Sequence, residues 1–195
     1  MNSHPRRTVL PIYPKALDPI GFLPYTVTNG RGMSMKKGCD LAWARLEGRS
    51  GHEEGRRLLA ALWQRHGDGP MPQILTTERG KPYFATGGLH FSISHTKDHV
   101  FCCLSDRPVG IDAEEADRKL TERLAERFLS EPERLRWENA QDRNQALLRL
   151  WILKESQAKA TGDGISYRMR DTDLSPDDPR IREIDGCLLA VWQMD

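Results

Sequence analysis

Along the chain, apolar positions change period several times, and each change predicts an element. In "GHEEGRRLLAALWQRHGDG", Leu58, Leu59, Leu62 and Trp63 fall on one helical stripe. The glycines of "HGDGP" end that helix. "FSISHTKDHVFCCLSDRPVGIDAE" then reads as three short strands, separated by the breaker-rich turns Thr96–Asp98 and Ser105–Pro108. Ser130 and Glu133 have the spacing of a capping box opening a helix through "PERLRWENA". Arg143 to Thr161 predicts a long amphipathic helix stopped by Gly162 and Gly164, and "CLLAVW" near the end predicts a buried strand. Mixed strands and helices without an internal repeat predict an α+β fold, with a break near the Ser105–Pro108 turn.

Composition bounds this picture without changing it. With 195 residues the chain can bury a real core, and 38% hydrophobic with 29% charged residues is the balance of a soluble globular protein. Charge adds an asymmetry. Residues 1–105 carry a net +6 and residues 106–195 a net −5, within an overall +1. A basic part beside an acidic part suits an anionic ligand on one side and a metal on the other. The four cysteines (Cys39, Cys102, Cys103, Cys187) include no Cys-x-x-Cys pair. Their spacing suggests neither a disulfide framework nor a zinc site, and it points to a reducing cytoplasm. Adjacent Cys102 and Cys103 should face opposite sides of a strand. The N-terminal "MNSHPRRTVLPIYPKAL", broken by Pro11 and Pro14, makes a poor signal peptide, and no apolar run approaches membrane-spanning length.

Candidate chemistry begins in "VGIDAE". On a strand, Val109, Ile111 and Ala113 face the core, whereas Gly110, Asp112 and Glu114 face the other way. Two carboxylates on one strand face repel unless a cation lies between them, and hard oxygens suit Mg²⁺ or Mn²⁺. An edge strand with a solvated acidic face satisfies the same pattern. In "LWILKESQAKATG", Trp151, Glu155 and Lys159 are four apart and share a helical stripe. A Glu155 aimed at Asp112 and Glu114 would complete three carboxylates for one divalent ion, with Lys154 and Lys159 neutralising phosphates. A solvated helix face is the alternative. In "FSISH", Ser92 and Ser94 share one strand face, and Phe91, Ile93 and His95 the other unless the strand ends before His95. Lys81 sits in a Gly-Lys-Pro turn.

Taken in order, "GKPYF", "FSISHT", "VGIDAE", "RFLSEPE" and "WILKESQAKATG" resemble the motifs of the 4′-phosphopantetheinyl transferases, of the larger, pseudo-dimeric type that activates peptide synthetases such as surfactin synthetase. The resemblance covers residues 80–162. It implies two α/β halves related by a pseudo-twofold axis, residues 1–105 binding the coenzyme A nucleotide and residues 106–195 holding the metal, with a cleft between them. It implies transfer of 4′-phosphopantetheine from coenzyme A to a serine of an apo acyl or peptidyl carrier protein, releasing adenosine 3′,5′-bisphosphate. Asp112, Glu114 and Glu155 would hold Mg²⁺. Lys81, Ser94, His95 and Lys159 would contact the nucleotide and its phosphates, and Glu133 matches an acidic motif position.

The chain departs from the family pattern at Ser92, where Asn is usual, and at Ala113, where a bulkier aliphatic residue is usual. Neither removes an expected ligand. Lys36, Lys37, Arg45, Arg49 and Arg56 are candidates for the 3′-phosphate. The serine nucleophile needs a base, either Glu155 or a water on the metal. One chain should build the whole cleft and work as a monomer. Two rivals remain at this level. One is an inactive relative that only holds coenzyme A or a carrier protein. The other is a metal-dependent nuclease, disfavoured because DNA binding calls for a more basic protein.

Overall fold

The computed structural model describes residues 21–25, 38–164 and 167–195. The basic residues Lys36 and Lys37 and the N-terminal stretch singled out above lie outside the described residues. The elements, in chain order, are β1 (Gly21–Tyr25), β2 (Cys39–Arg45), α1 (Gly51–His66), β3 (Ile74–Thr76), β4 (Pro82–Phe84), β5 (His90–His95), β6 (His99–Ser105) and β7 (Val109–Glu115). These are followed by α2 (Glu122–Phe128), α3 (Glu131–Glu138), α4 (Arg143–Thr161), a 3₁₀ turn (Tyr167–Asp171), β8 (Ile181–Ile184) and β9 (Cys187–Gln193). No helix among the described residues is long and apolar enough to cross a membrane.

The fold is mixed α and β. One antiparallel sheet runs β1-β2-β6-β5 and a second runs β7-β9-β8, with β3 and β4 as a separate hairpin. Three apolar clusters define the layers. Leu58, Leu59, Leu62 and Trp63 of α1 pack on Ala42, Ala44, Val100 and Cys102 of the first sheet. The other side of that sheet, with Leu41, Phe101 and Cys103, meets Val109, Ile111, Ala113, Leu189 and Val191 of the second. The outer side of the second sheet, with Leu188 and Ala190, is covered by α2, α3 and α4. Strand alternation accounts for this, since Cys102 and Cys103 enter different clusters as their parity requires.

Local signals set the helix ends. Ser130 and Glu133 stand in the capping-box positions at α3, and the Glu133 carboxylate accepts from the Ser130 N–H at 2.7 Å. Gly162, at φ 79, closes α4 in the left-handed region that glycine adopts without steric cost. One expectation changes. Helix α4 is not amphipathic in the one-sided sense, because its buried positions, from Ala146 to Ala160, run round most of its circumference. The sheet covers one side, and α2, α3 and the 3₁₀ turn cover another. Charges in the middle of α4 are therefore placed in the interior or at a cleft.

The two sheets also meet along their edges. The Ser92 hydroxyl accepts from the Ile111 N–H at 3.1 Å, and the Ser94 hydroxyl accepts from the Ala113 N–H at 3.3 Å. Strand β5 is thus stitched to β7 by side-chain oxygens rather than by a backbone ladder. This satisfies edge donors of β7 that would otherwise be buried without partners.

Candidate active site

The site is built where α4 lies on β7. Gly110 makes that approach possible. A Cβ there would fall 2.0 Å from the Ser156 carbonyl oxygen and 2.3 Å from the Ala160 nitrogen. Two residues further along the same strand face, Asp112 is buried and meets α4. Lys159 Nζ reaches Asp112 Oδ1 at 2.6 Å, and the Ser94 hydroxyl donates to the same oxygen at 3.1 Å. Lys159 Nζ also lies 3.3 Å from Ser94 Oγ. Asp112, Ser94 and Lys159 thus form one hydrogen-bonded group drawn from β7, β5 and α4.

Glu155, one turn before Lys159, is buried beside them. Burial pushes its carboxyl up to about 7, and the charges of Asp112 and Glu114 add to this against the opposing pull of Lys159. Burial also pushes Asp112 up, opposed by Lys159. Glu114 is half-buried and paired with Arg118. Among the described residues, Asp112 Oδ2 and Glu155 Oε1 are buried without a hydrogen-bond partner. Orphaned carboxylate oxygens are costly, and three coupled carboxylates more so. The orphaned oxygens of Asp112 and Glu155 fit a hard divalent cation of the Mg²⁺ class in chemistry, whereas Glu114 is turned to Arg118, so the three carboxylates are not gathered within coordination distance of one another.

A cleft of about 320 Å³ opens beside the cluster, lined among others by Arg79, Lys81, Phe91, Glu155, Lys159 and Gly162. Lys81 comes from the β3–β4 connection and its Nζ donates to the Ala160 carbonyl at the end of α4. Half-burial lowers its pKa from the ordinary lysine value. Its Cδ would lie 3.1 Å from a Cβ at Gly162, so that glycine also leaves room for the lysine stem. Arg79 bridges to Asp163 at 2.9 Å at the same rim. Arg79 carries no signal in the sequence that would place it at the cleft, whereas the alternation of "FSISH" puts Ser92 on the same strand face as Ser94, where both hydroxyls reach β7.

Not every expected residue comes to the cluster. Lys154 requires a correction. It is 1% exposed, and its Nζ lies 2.8 Å from Glu133 Oε2. It also donates to the Met169 and Thr172 carbonyls. One residue before Glu155 is about 100° round the helix, so the two side chains leave in different directions. Lys154 is an interior ion-pair partner and does not face a phosphate. Glu133 uses its other oxygen to accept from the Leu174 N–H at 2.8 Å, which makes it a buried tie between α3, α4 and the segment before β8. His95 is exposed on the opposite face of β5 from Ser94, against the first turn of α1. A Cβ at Gly51 would lie 2.9 Å from its ring. Of the basic candidates, Arg45 is engaged by Asp185 at 2.6 Å, and Arg49 lies near Glu47 and Glu54. Arg56 is half-buried on α1.

Comparison with known proteins finds a similarity over the part of the chain that carries most of these residues. Residues 108–189 match the model of the 4′-phosphopantetheinyl transferase superfamily. That span carries Asp112, Glu114, Glu155 and Lys159, but not Lys81, Ser94 or His95. The chain is 40% identical over 103 residues to a 4′-phosphopantetheinyl transferase of Bacillus pumilus, covering 50% of this chain and 44% of the relative. It is 38% identical over 91 residues to one of Aneurinibacillus migulanus, covering 45% of this chain and 37% of the relative. It is 36% identical over 92 residues to one of Bacillus subtilis, covering 46% of this chain and 41% of the relative. The matches span less than half the length of each relative. The carboxylates on β7 and α4 therefore lie inside the region that is similar to the 4′-phosphopantetheinyl transferase superfamily.

Proposed function

We propose that this protein transfers 4′-phosphopantetheine from coenzyme A to a serine hydroxyl of an apo carrier protein, with a magnesium ion at Asp112, Glu114 and Glu155. The observation that carries the proposal is the pair of buried, unpartnered oxygens, Asp112 Oδ2 and Glu155 Oε1, beside a lysine-lined cleft. A divalent ion held there would offset negative charge on the coenzyme A pyrophosphate and on the departing adenosine 3′,5′-bisphosphate.

The chain's own groups supply the rest. Lys159 and Lys81 flank the cleft and place positive charge against the phosphates. Lys159 is held in position by Asp112 and Ser94, so its charge is preorganised. Glu155, which lines the cleft, or a water held beside the ion would accept the proton of the attacking serine hydroxyl. Phe91 and Ile93 give the cleft an apolar wall. His95, on the far side of β5, would contact a more distant part of the nucleotide.

The halves proposed for residues 1–105 and 106–195 find support in their similar build. Each contributes an antiparallel sheet covered by a long helix, α1 on one and α4 on the other. A single chain then supplies both cleft walls and works as a monomer in the cytoplasm, with neither nucleic acid nor membrane as partner. The test is incubation of purified protein with coenzyme A, Mg²⁺ and an apo carrier protein, read by intact mass. A mass gain of one phosphopantetheine on the carrier, absent when its serine is replaced by alanine, supports the proposal. An unmodified carrier across acyl and peptidyl types, with coenzyme A bound and intact, would leave a binding protein instead.

A further inference from the structure

The parity of β7 sends its carboxylates to two different places. Asp112 and Glu114 face α4 and the cleft. Glu115 has the parity of Val109, Ile111 and Ala113 and continues the face between the two sheets. It stands directly opposite Cys187, the first residue of β9, in the antiparallel register. From the other sheet, His99, the first residue of β6, reaches the same point. Three strand ends and two sheets thus converge at the rim of the inter-sheet core.

The separations there are those of a coordination polyhedron. Cys187 Sγ lies 3.3 Å from His99 Nδ1 and 3.3 Å from Glu115 Oε2, and His99 Nδ1 lies 3.5 Å from Glu115 Oε1. A tetrahedral zinc with bonds of about 2.0–2.3 Å has ligand atoms roughly 3.3–3.8 Å apart. His99 and Cys187 are buried, whereas Glu115 keeps a side-chain exposure of 27%, which leaves one side of the cluster open to a small ligand such as water.

The surrounding groups orient each donor. His99 Nε2 lies 2.9 Å from Asp185 Oδ2. Arg45 clamps that carboxylate with two hydrogen bonds, at 2.7 and 2.6 Å. A carboxylate on Nε2 fixes the proton there and turns the Nδ1 lone pair towards Cys187 and Glu115. This is the arrangement in which an outer carboxylate holds a metal-binding histidine. Thr96 Oγ1 donates to Glu115 Oε1 at 2.5 Å and fixes the carboxylate rotamer. Asp185 itself stands at φ 51, followed by Gly186 at φ 78, in the tight β8–β9 turn. The Ala116 N–H ties that turn to the end of β7 by donating to the Gly186 carbonyl at 2.9 Å.

We infer that His99, Glu115 and Cys187 form a second metal site, for Zn²⁺ or a cation of similar softness, which staples β6 of one sheet to β7 and β9 of the other. The imidazole, thiol and carboxylate donors separate it chemically from the all-oxygen cluster of Asp112, Glu114 and Glu155. Binding forms the metal–sulfur bond as the Cys187 thiol proton leaves to solvent. Thiolate and carboxylate then balance the 2+ charge in a poorly solvated place. No spacing motif announces the site, because Cys187 stands 88 residues from His99 and 72 from Glu115.

Titration of the chelator-stripped full chain with Co²⁺, in excess Mg²⁺ to fill oxygen sites, tests this. The expected result is one Co²⁺ per chain with four-coordinate ligand-field bands and a thiolate-to-cobalt charge-transfer band, all displaced by Zn²⁺. Zn²⁺ should also raise the melting temperature. Cys187→Ser should abolish the charge-transfer band. Asp185→Asn, which touches no metal, should weaken Zn²⁺ binding about 10-fold or more. Should Cys187→Ser fail to fold, Glu115→Gln at the more exposed rim serves as the comparison and should weaken Zn²⁺ binding. Folded wild-type protein with no charge-transfer band overturns the inference. So does a band that survives Cys187→Ser.

Discussion

Lys154 Nζ lies 2.8 Å from Glu133 Oε2, with side-chain exposures of 1% and 0%. Burial pushes the lysine pKa down, and Glu133 opposes this. Removing one member of such a pair strands the other. Glu133→Gln and Lys154→Met should each destabilise the fold by roughly 3–5 kcal/mol in denaturant unfolding. Replacing both with apolar residues should recover much of that loss. Turnover per folded molecule should stay near wild type. A stable Lys154→Met protein with weakened coenzyme A binding would return Lys154 to the cleft.

Gly110 sets the distance between β7 and α4. Gly110→Ala must push against backbone atoms of Ser156 and Ala160 rather than against a flexible side chain. Overpacking of this kind costs about 1–3 kcal/mol. The displacement also separates Asp112 from Glu155 and Lys159. Unfolding should therefore show lost stability, and magnesium calorimetry should show weaker binding. Unchanged magnesium affinity in a destabilised Gly110→Ala protein would mean that the cluster does not depend on this approach.

Glu155 should give the metal-free protein a distinct pH dependence. Its folded-state carboxyl is raised from 4.5 to about 7. Below the lower value it is protonated in both folded and unfolded chains. Above the upper value it is charged in both, and the folded state carries the cost of burying that charge. Its contribution to stability is thus present below 4.5 and lost as pH rises to about 7. In chelator, the stability of Glu155→Gln relative to wild type should climb across that window. Mg²⁺ should narrow the difference at the upper end. Parallel pH profiles for the two proteins would contradict the shift.

Much of the fold was legible because its signals are local. The stripe on α1, the period-two strands β5 to β7, the Ser130–Glu133 box and the glycine stop after α4 each involve neighbours in sequence. The alternating buried pattern of β2 was present too, yet no motif drew attention to it. The destination of Lys154 was not legible. Its partner lies 21 residues upstream, and the helices that bury it conceal what looks like an exposed charge run. The same holds for the separation of Ser94 from His95. Alternation put them on opposite faces, but only the tertiary arrangement shows that one meets Asp112 and the other meets Gly51.

The most direct test of the account is the rate of carrier-protein modification by Glu155→Gln, measured by intact mass over a range of magnesium concentrations. The substitution keeps shape and removes a charge. With a folded protein confirmed by unfolding, the account predicts a fall in turnover of about 10²-fold or more, with the magnesium requirement shifted to higher concentration. Wild-type turnover at limiting magnesium would contradict it, since Glu155 would then be neither a metal ligand nor the base.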